Sequence, residues 1–183
     1  MSDYAYKNIR TWENSEPGLA EYALIAPKSH FAPGGLKYPV GPFGVTPGDS
    51  ITIKEPHVFQ AGKAFISFVL APEKNEMNTT TDGDLAFNKI KSEVKLVMPG
   101  STPAQHEQLR QLLNTPLVGL FPDANCGSGI YYQLGSDCVS GYLTSDFKTG
   151  TTASGIKGFE CTFKCSAPPL FYDVEGGPEV IAD

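Results

Sequence analysis

Four cysteines and three histidines are the side chains of this 183-residue chain best suited to hold a metal or act as a nucleophile. Cys126, Cys138, Cys161 and Cys165 follow the spacing C-x11-C-x22-C-x3-C, which lacks the paired C-x2–4-C knuckles of a structural zinc site. The last two lie in Gly158–Cys165, GFECTFKC. As a strand, this stretch puts Phe159, Cys161, Phe163 and Cys165 on one face and Glu160, Thr162 and Lys164 on the other. Four strand residues separate Cys161 from Cys165 by roughly 13 Å, too far for a disulfide or for one tetrahedral ion. In an aromatic row, unpaired cysteine serves as a small buried hydrophobe, so Phe159, Cys161, Phe163 and Cys165 are expected in the core. Cys126 and Cys138 flank a predicted strand at 130–134, and a disulfide between them stays open.

His30, His57 and His106 offer no ligand spacing. His106 is expected on the exposed side of a helix and His57, after Pro56, in a solvated turn. A cysteine hydrolase would pair Cys126 or Cys138 with His57, but nothing nearby supplies the group that orients the base. Gly127-Ser128-Gly129 lacks the strand–elbow–helix setting of a serine nucleophile. Neither Gly34-Gly35 nor Thr149-Gly150 opens a helix that would receive a phosphate. Asp82-Gly83-Asp84 has no carboxylate at the twelfth position of a calcium loop. Trp12, Tyr4 and Tyr6 read as aromatic anchors to protein. The expectation is a non-enzyme with no metal and no cofactor.

Composition sets the class. Fourteen basic against twenty acidic residues give a net charge of −6, which disfavours nucleic acid or an anionic membrane as the main partner. Charged residues make up 19%, below the usual quarter, so part of the surface is expected to meet partners instead of water. No run approaches the length of a membrane-spanning helix. The first residues, MSDYAYKNIRTWENSE, have no apolar core of a secretory signal; synthesis in a reducing cytoplasm is expected.

The elements expected to carry these residues are mostly strands. Residues 1–50 contain Pro17, Pro27, Pro33, Pro39, Pro42 and Pro47 and read as an extended arm. Its apolar residues, among them Phe31, Leu36, Tyr38, Val40 and Phe43, need a surface, either their own domain or a neighbour. Residues 51–172 read as a β-rich core, and 173–183 as a frayed tail. Within the core, Lys63–Leu70 reads as a strand covered on both faces. Residues 73–84, EKNEMNTTTDGD, read as a long polar loop. In 87–98, FNKIKSEVKLVM, Ile90, Val94, Leu96 and Met98 alternate with Lys89, Lys91, Glu93 and Lys95 as in a half-buried strand. Thr102, Pro103 and Gln105 form a helix start with a capping box, Leu109, Leu112 and Leu113 form its apolar stripe, and Asn114–Pro116 ends it, a helix near 103–114. Short strands at 117–121, 130–134 and 139–143 follow, the last two as a hairpin, and Gly158–Cys165 closes the fold before Pro168-Pro169. The fold class is therefore mainly β, a sandwich or barrel of about six to eight strands, with one packed helix and an extended N-terminal arm.

The stretch from Leu112 to Tyr172 carries a resemblance. A helix end leads to a short strand, then to a Tyr-rich strand ending in Leu134-Gly135, to Asp146-Phe-Lys-Thr-Gly150, to Gly158-Phe-x-x-Thr-Phe163 and to Pro168-Pro-Leu-Phe-Tyr172. This third of the chain resembles the C-terminal part of small virion proteins of tailed bacteriophages and prophages, especially tail-associated ones. The wider plan is similar to a phage tail tube subunit. The resemblance implies a virion protein assembled in the bacterial host cytoplasm. Six copies would close a ring, and rings would stack into a tube beside neighbouring virion proteins, with DNA only as passing cargo. It implies subunit interfaces at the arm (Phe31, Leu36, Tyr38, Val40, Phe43) and at the loop (Met77, Asn78, Thr79, Thr80, Thr81, Asp82). A capsid decoration or receptor-binding β-module is the alternative.

Overall fold

A computed structural model describes residues 18–39, 48–83, 88–124, 129–150 and 157–181. The chain is mainly β, and its described residues form a two-sheet sandwich of ten strands with one α-helix. The strands are β1 (Tyr22–Pro27), β2 (Thr52–Ile53), β3 (Ile66–Val69), β4 (Glu76–Asp82), β5 (Lys89–Pro99), β6 (Leu117–Pro122), β7 (Tyr131–Leu134), β8 (Tyr142–Lys148), β9 (Gly158–Cys165) and β10 (Leu170–Tyr172). The helix, α1, spans Pro103–Leu112. Six strands form one sheet in the order β2-β10-β7-β6-β1-β3, and four form the other in the order β4-β5-β9-β8.

Both faces of the larger sheet are apolar. In β1, Ala23 and Ile25 point to one cluster and Leu24 and Ala26 to another; in β6, Leu117 and Phe121 divide from Val118 and Leu120 in the same way. The first cluster fills the space between the sheets. It takes Val94, Leu96 and Met98 from β5, Leu143 from β8, and Phe159, Cys161, Phe163 and Cys165 from β9, with Leu109 and Leu112 of α1 closing one end. Period-two alternation in β5 and β9 produces this one-sided burial, and Lys91, Lys95, Glu160 and Lys164 stay exposed on the outer face. There Glu93 meets Lys164 at 3.5 Å and Asp82 meets Lys91 at 2.6 Å. Among the described residues no sheet covers the second cluster. Phe31, Leu36 and Phe65, together with Tyr38 and Phe59, form an irregular cover over Leu24, Ala26, Ile53, Val118, Leu120 and Tyr172.

The helix start follows expectation: the Thr102 hydroxyl accepts from the Gln105 amide, and the Gln105 side chain accepts from the Thr102 amide. Several expectations are overturned. The arm reading of 1–50 does not hold for residues 18–39. Tyr22–Pro27 lies inside the larger sheet between β6 and β3, because its prolines flank Ala23-Leu-Ile-Ala26 without interrupting it. The expected loop over 73–84 is largely β4, paired antiparallel with β5 from Glu76↔Lys95 to Asp82↔Lys89; three consecutive threonines suit a solvated strand. The 63–70 run is an edge strand, with Val69 73% exposed. The expected hairpin of 130–134 with 139–143 does not form. Instead β7 pairs with β6 and β10, β8 pairs with β9, and the turn at Ser136–Ser140 passes the chain between sheets. Gly158–Cys165 is an interior strand, and β10 follows the two prolines. The tail is pinned as far as Ile181, whose amide donates to the Phe65 carbonyl while the Phe65 amide donates to Glu179.

Phe163 is the fully buried hinge-pin of the space between the sheets. Its ring packs edge-on to Phe121 at 5.3 Å and lies over two glycines. A Cβ at Gly141 would sit 2.1 Å from the ring, and one at Gly119 would sit 3.3 Å from it and 2.6 Å from the Phe121 ring. Gly141 and Leu117 exchange both backbone hydrogen bonds at 2.9 Å, joining the start of β8 to β6 at the corner where Phe163 sits. Overpacking a filled site costs about 1–3 kcal/mol, so Gly141→Ala should lower stability by that amount in urea denaturation. Phe163→Ala, which leaves a cavity, should cost about 3–5 kcal/mol.

Candidate assembly surface

The side chains with chemical potential are placed by the fold in settings that use them structurally. Cys161 and Cys165 are 2% and 4% exposed, with free thiols. Burial pushes the Cys161 thiol up to about 12 and raises that of Cys165 as well, which suppresses the reactive thiolate. Cys138 is exposed in the turn before β8. Cys126 lies outside the described residues, as do Tyr4, Tyr6 and Trp12. Among the described residues no group of three or more His, Cys, Asp or Glu could hold a metal ion.

His106 is exposed on α1 as expected, whereas His57 corrects the expectation of a solvated turn. His57 is buried. Its Nδ1 accepts the Lys37 amide at 3.0 Å, so its Nε2 carries the proton and donates to Gln133 Oε1 at 2.8 Å. With both ring nitrogens engaged, it is not available as a base for Cys138. His106 packs its ring against Phe147 and Phe159 at 4.7 and 4.6 Å. His30 is partly buried, with no partner for Nδ1 among the described residues; desolvation and then the Lys63 charge lower its pKa.

The expected interface residues divide. Phe31 is buried in its own domain, stacked on Phe59 at 4.6 Å, and Leu36 is buried beneath the same cover. Tyr38 is half-buried, its hydroxyl accepting the Asp137 amide, and burial pushes its phenol to about 12. Val40 and Phe43 lie outside the described residues. The surface needed by Phe31, Leu36 and Tyr38 is thus their own sheet. On β4, Met77 packs against the core, while Asn78, Thr79, Thr80, Thr81 and Asp82 are exposed on the free edge of the smaller sheet.

The edge that sequence reasoning missed is β3. The Leu70 amide bonds to Glu21 of the β1 side, so in the antiparallel ladder the backbone groups of Phe65, Ser67 and Val69 point away from β1. Those of Phe65 are taken by Glu179 and Ile181. Among the described residues those of Ser67 and Val69 have no backbone partner. Beside them a cavity of about 250 Å³ opens between β3, the end of β5 and α1, lined by Phe68, Val69, Met98, Leu109 and Phe159 with Gln105 and Gln108 among its polar residues. The other long edges carry charge, Glu76 and Asp82 on β4 and Asp146 and Lys148 on β8, whereas β3 reads Ile-Ser-Phe-Val. An apolar run looks alike in an interior strand and an unguarded edge, which is why no signal in 63–70 separates them.

No protein-family model, no curated protein and no solved structure matches the chain.

Thiol labelling of the native protein followed by peptide mapping checks the cysteine placement. Cys138 should be modified at the rate of a free thiol, and Cys161 and Cys165 at least a hundredfold more slowly, reacting only when the sandwich opens.

Proposed function

We propose that the chain is a structural subunit of a phage or phage-like particle, a tail tube component that assembles with copies of itself. The observation that carries this reading is the uncharged outer edge of β3, whose Ser67 and Val69 backbone groups no described residue covers, beside an apolar notch. Proteins that remain monomeric protect such an edge with charge, proline or a covering segment. Here, among the described residues, the groups of Phe65 and the Ala71 amide have partners, and the stretch between them, Ser67 and Val69, is left open. A strand from a neighbouring copy would satisfy the Ser67 and Val69 backbone groups and place an apolar side chain in the notch. The β4–β5 ribbon, with its exposed threonines, is the element suited to contact a stacked ring. Six copies per ring, neighbouring virion proteins as further partners and a place in the virion come from the resemblance of residues 112–172. With a net charge of −6, a lumen that the acidic residues of such subunits face would not retain passing DNA. Among the described residues the Cys161 and Cys165 thiols are buried, and both ring nitrogens of His57 are hydrogen-bonded.

Negative-stain imaging and sedimentation of the purified protein provide the test. The wild type is expected to form rings or tubes as concentration rises. Val69→Lys, at an exposed position, should shift stability by no more than about 0.5 kcal/mol and abolish assembly. Monomers at high concentration would overturn the reading, as would Val69→Lys assembling like the wild type. Trimers with a free β3 edge would favour the decoration or receptor-binding module.

A further inference from the structure

We propose that His57 is an acid-released latch that fastens the irregular cover over the outer face of the six-stranded sheet. The geometry is specific. The cover consists of residues 31–38 and 57–65, tied to each other by the Ala32 amide to the Val58 carbonyl at 3.0 Å and the Val58 amide to the Gly35 carbonyl at 2.9 Å. One fastening to the sheet runs through an imidazole: the Lys37 amide donates to Nδ1, and Nε2 donates to Gln133 of β7. Gln133 is itself buried, with its amide nitrogen donating to the Gly135 carbonyl at 3.3 Å, which fixes its oxygen towards His57. Only the neutral Nε2–H tautomer satisfies all three groups. A second proton on Nδ1 would point an N–H at the Lys37 N–H, break that bond and leave a charge among apolar rings.

The surroundings offer that charge no compensation. From the cover, Lys37 contributes a like charge, with its own ammonium 3.5 Å from Glu55 of the His57 segment. Phe31 and Phe65 meet the ring at 5.6 and 6.1 Å. From β10, Tyr172 lies 4.8 Å away, its hydroxyl taking the His57 backbone amide. From β7, Gln133 contributes a neutral amide. Among the described residues no carboxylate pairs with the ring. Burial first, and the Lys37 charge after it, hold the His57 pKa at about 4 instead of 6.5, against the hydrogen bond to Gln133.

The sign follows from linkage. With the cover open, His57 binds a proton below its ordinary pKa; with the cover closed it resists until about pH 4. Closure is therefore at full strength above pH 6.5 and weakens as the pH falls towards 4. The opening equilibrium rises about tenfold per pH unit and by roughly 300-fold in all. What opens is an apolar face: Leu24 and Ala26 of β1 and Val118 and Leu120 of β6.

Hydrogen exchange of the full chain, corrected for the intrinsic pH dependence of amide exchange, reads this directly. Protection of the Ala32, Gly35, Lys37 and Val58 amides should fall about tenfold per unit between pH 6 and 4.5, while the β9 amides hold theirs. Nitrogen NMR of the imidazole should show an unprotonated Nδ1 at pH 7 and a titration near pH 4. His57→Gln, which does not titrate in this range, should make protection of the cover independent of pH. A His57 that titrates near 6.5, cover amides indifferent to acid, or cover and β9 amides failing together would each overturn the latch.

Discussion

The rest of the structure depends on a sheet whose inner strands are apolar on both faces. β1 and β6 send alternate residues into two separate clusters, so neither face can be left to water at roughly 25 cal/mol per Å² of apolar surface. One face is served by a second, amphipathic sheet. The other is served by chain without regular structure. That difference sets the character of the two cores, one built from period-two alternation and one from aromatic rings on loops. Irregular chain can lie flat only if its backbone polar groups find partners, and the bonds among Ala32, Gly35 and Val58 and the imidazole of His57 supply several of them. Gly35 sits where a side chain could not, since a Cβ there would fall 2.1 Å from the Val58 carbonyl oxygen.

How much of this was legible in the sequence depends on whether a segment's environment is encoded within it. In β5 and β9 the alternation of apolar and charged residues states which side is buried, and the structure agrees residue by residue from Val94 to Met98 and from Phe159 to Cys165. The capping box of α1 is equally local. By contrast, the prolines between 17 and 47 conceal the six-residue strand at Tyr22–Pro27, because composition over a long window hides a short apolar run. The threonines of β4 look like loop because a solvated strand needs no apolar face. The placement of β7 and β8 in different sheets rests on which strands they pair with, β6 and β10 for β7 and β9 for β8, which the turn residues Gly135 to Ser140 do not specify.

The candidate site followed the same division. The buried thiols were readable, since a strand places Cys161 and Cys165 beside Phe159 and Phe163 whatever the topology. His57 was not. Its enclosure is made by Phe31, Phe65, Gln133 and Tyr172, four residues spread over more than half of the chain, and Pro56 before it gives the local look of an exposed turn. The open edge of β3 was unreadable for a related reason: whether a strand has one neighbour or two is decided by the remainder of the fold. Chemistry that depends on one element survives the reading from sequence, and chemistry assembled from several does not.

The pairing pattern also bears on how the protein comes to be folded. In the larger sheet β1 lies against β6, β2 lies parallel to β10 with Thr52 opposite Phe171, and Phe65 is bridged to Val180. Each joins segments far apart in the chain, and such long closures must be completed before their contacts reward them. In the smaller sheet the β4–β5 hairpin is adjacent in sequence and can form early, whereas the β5–β9 pairing waits for residues 158–165. The larger one stays incomplete until the segment beyond Leu170 has emerged, so nascent chains carry a half-finished apolar sheet for most of their synthesis.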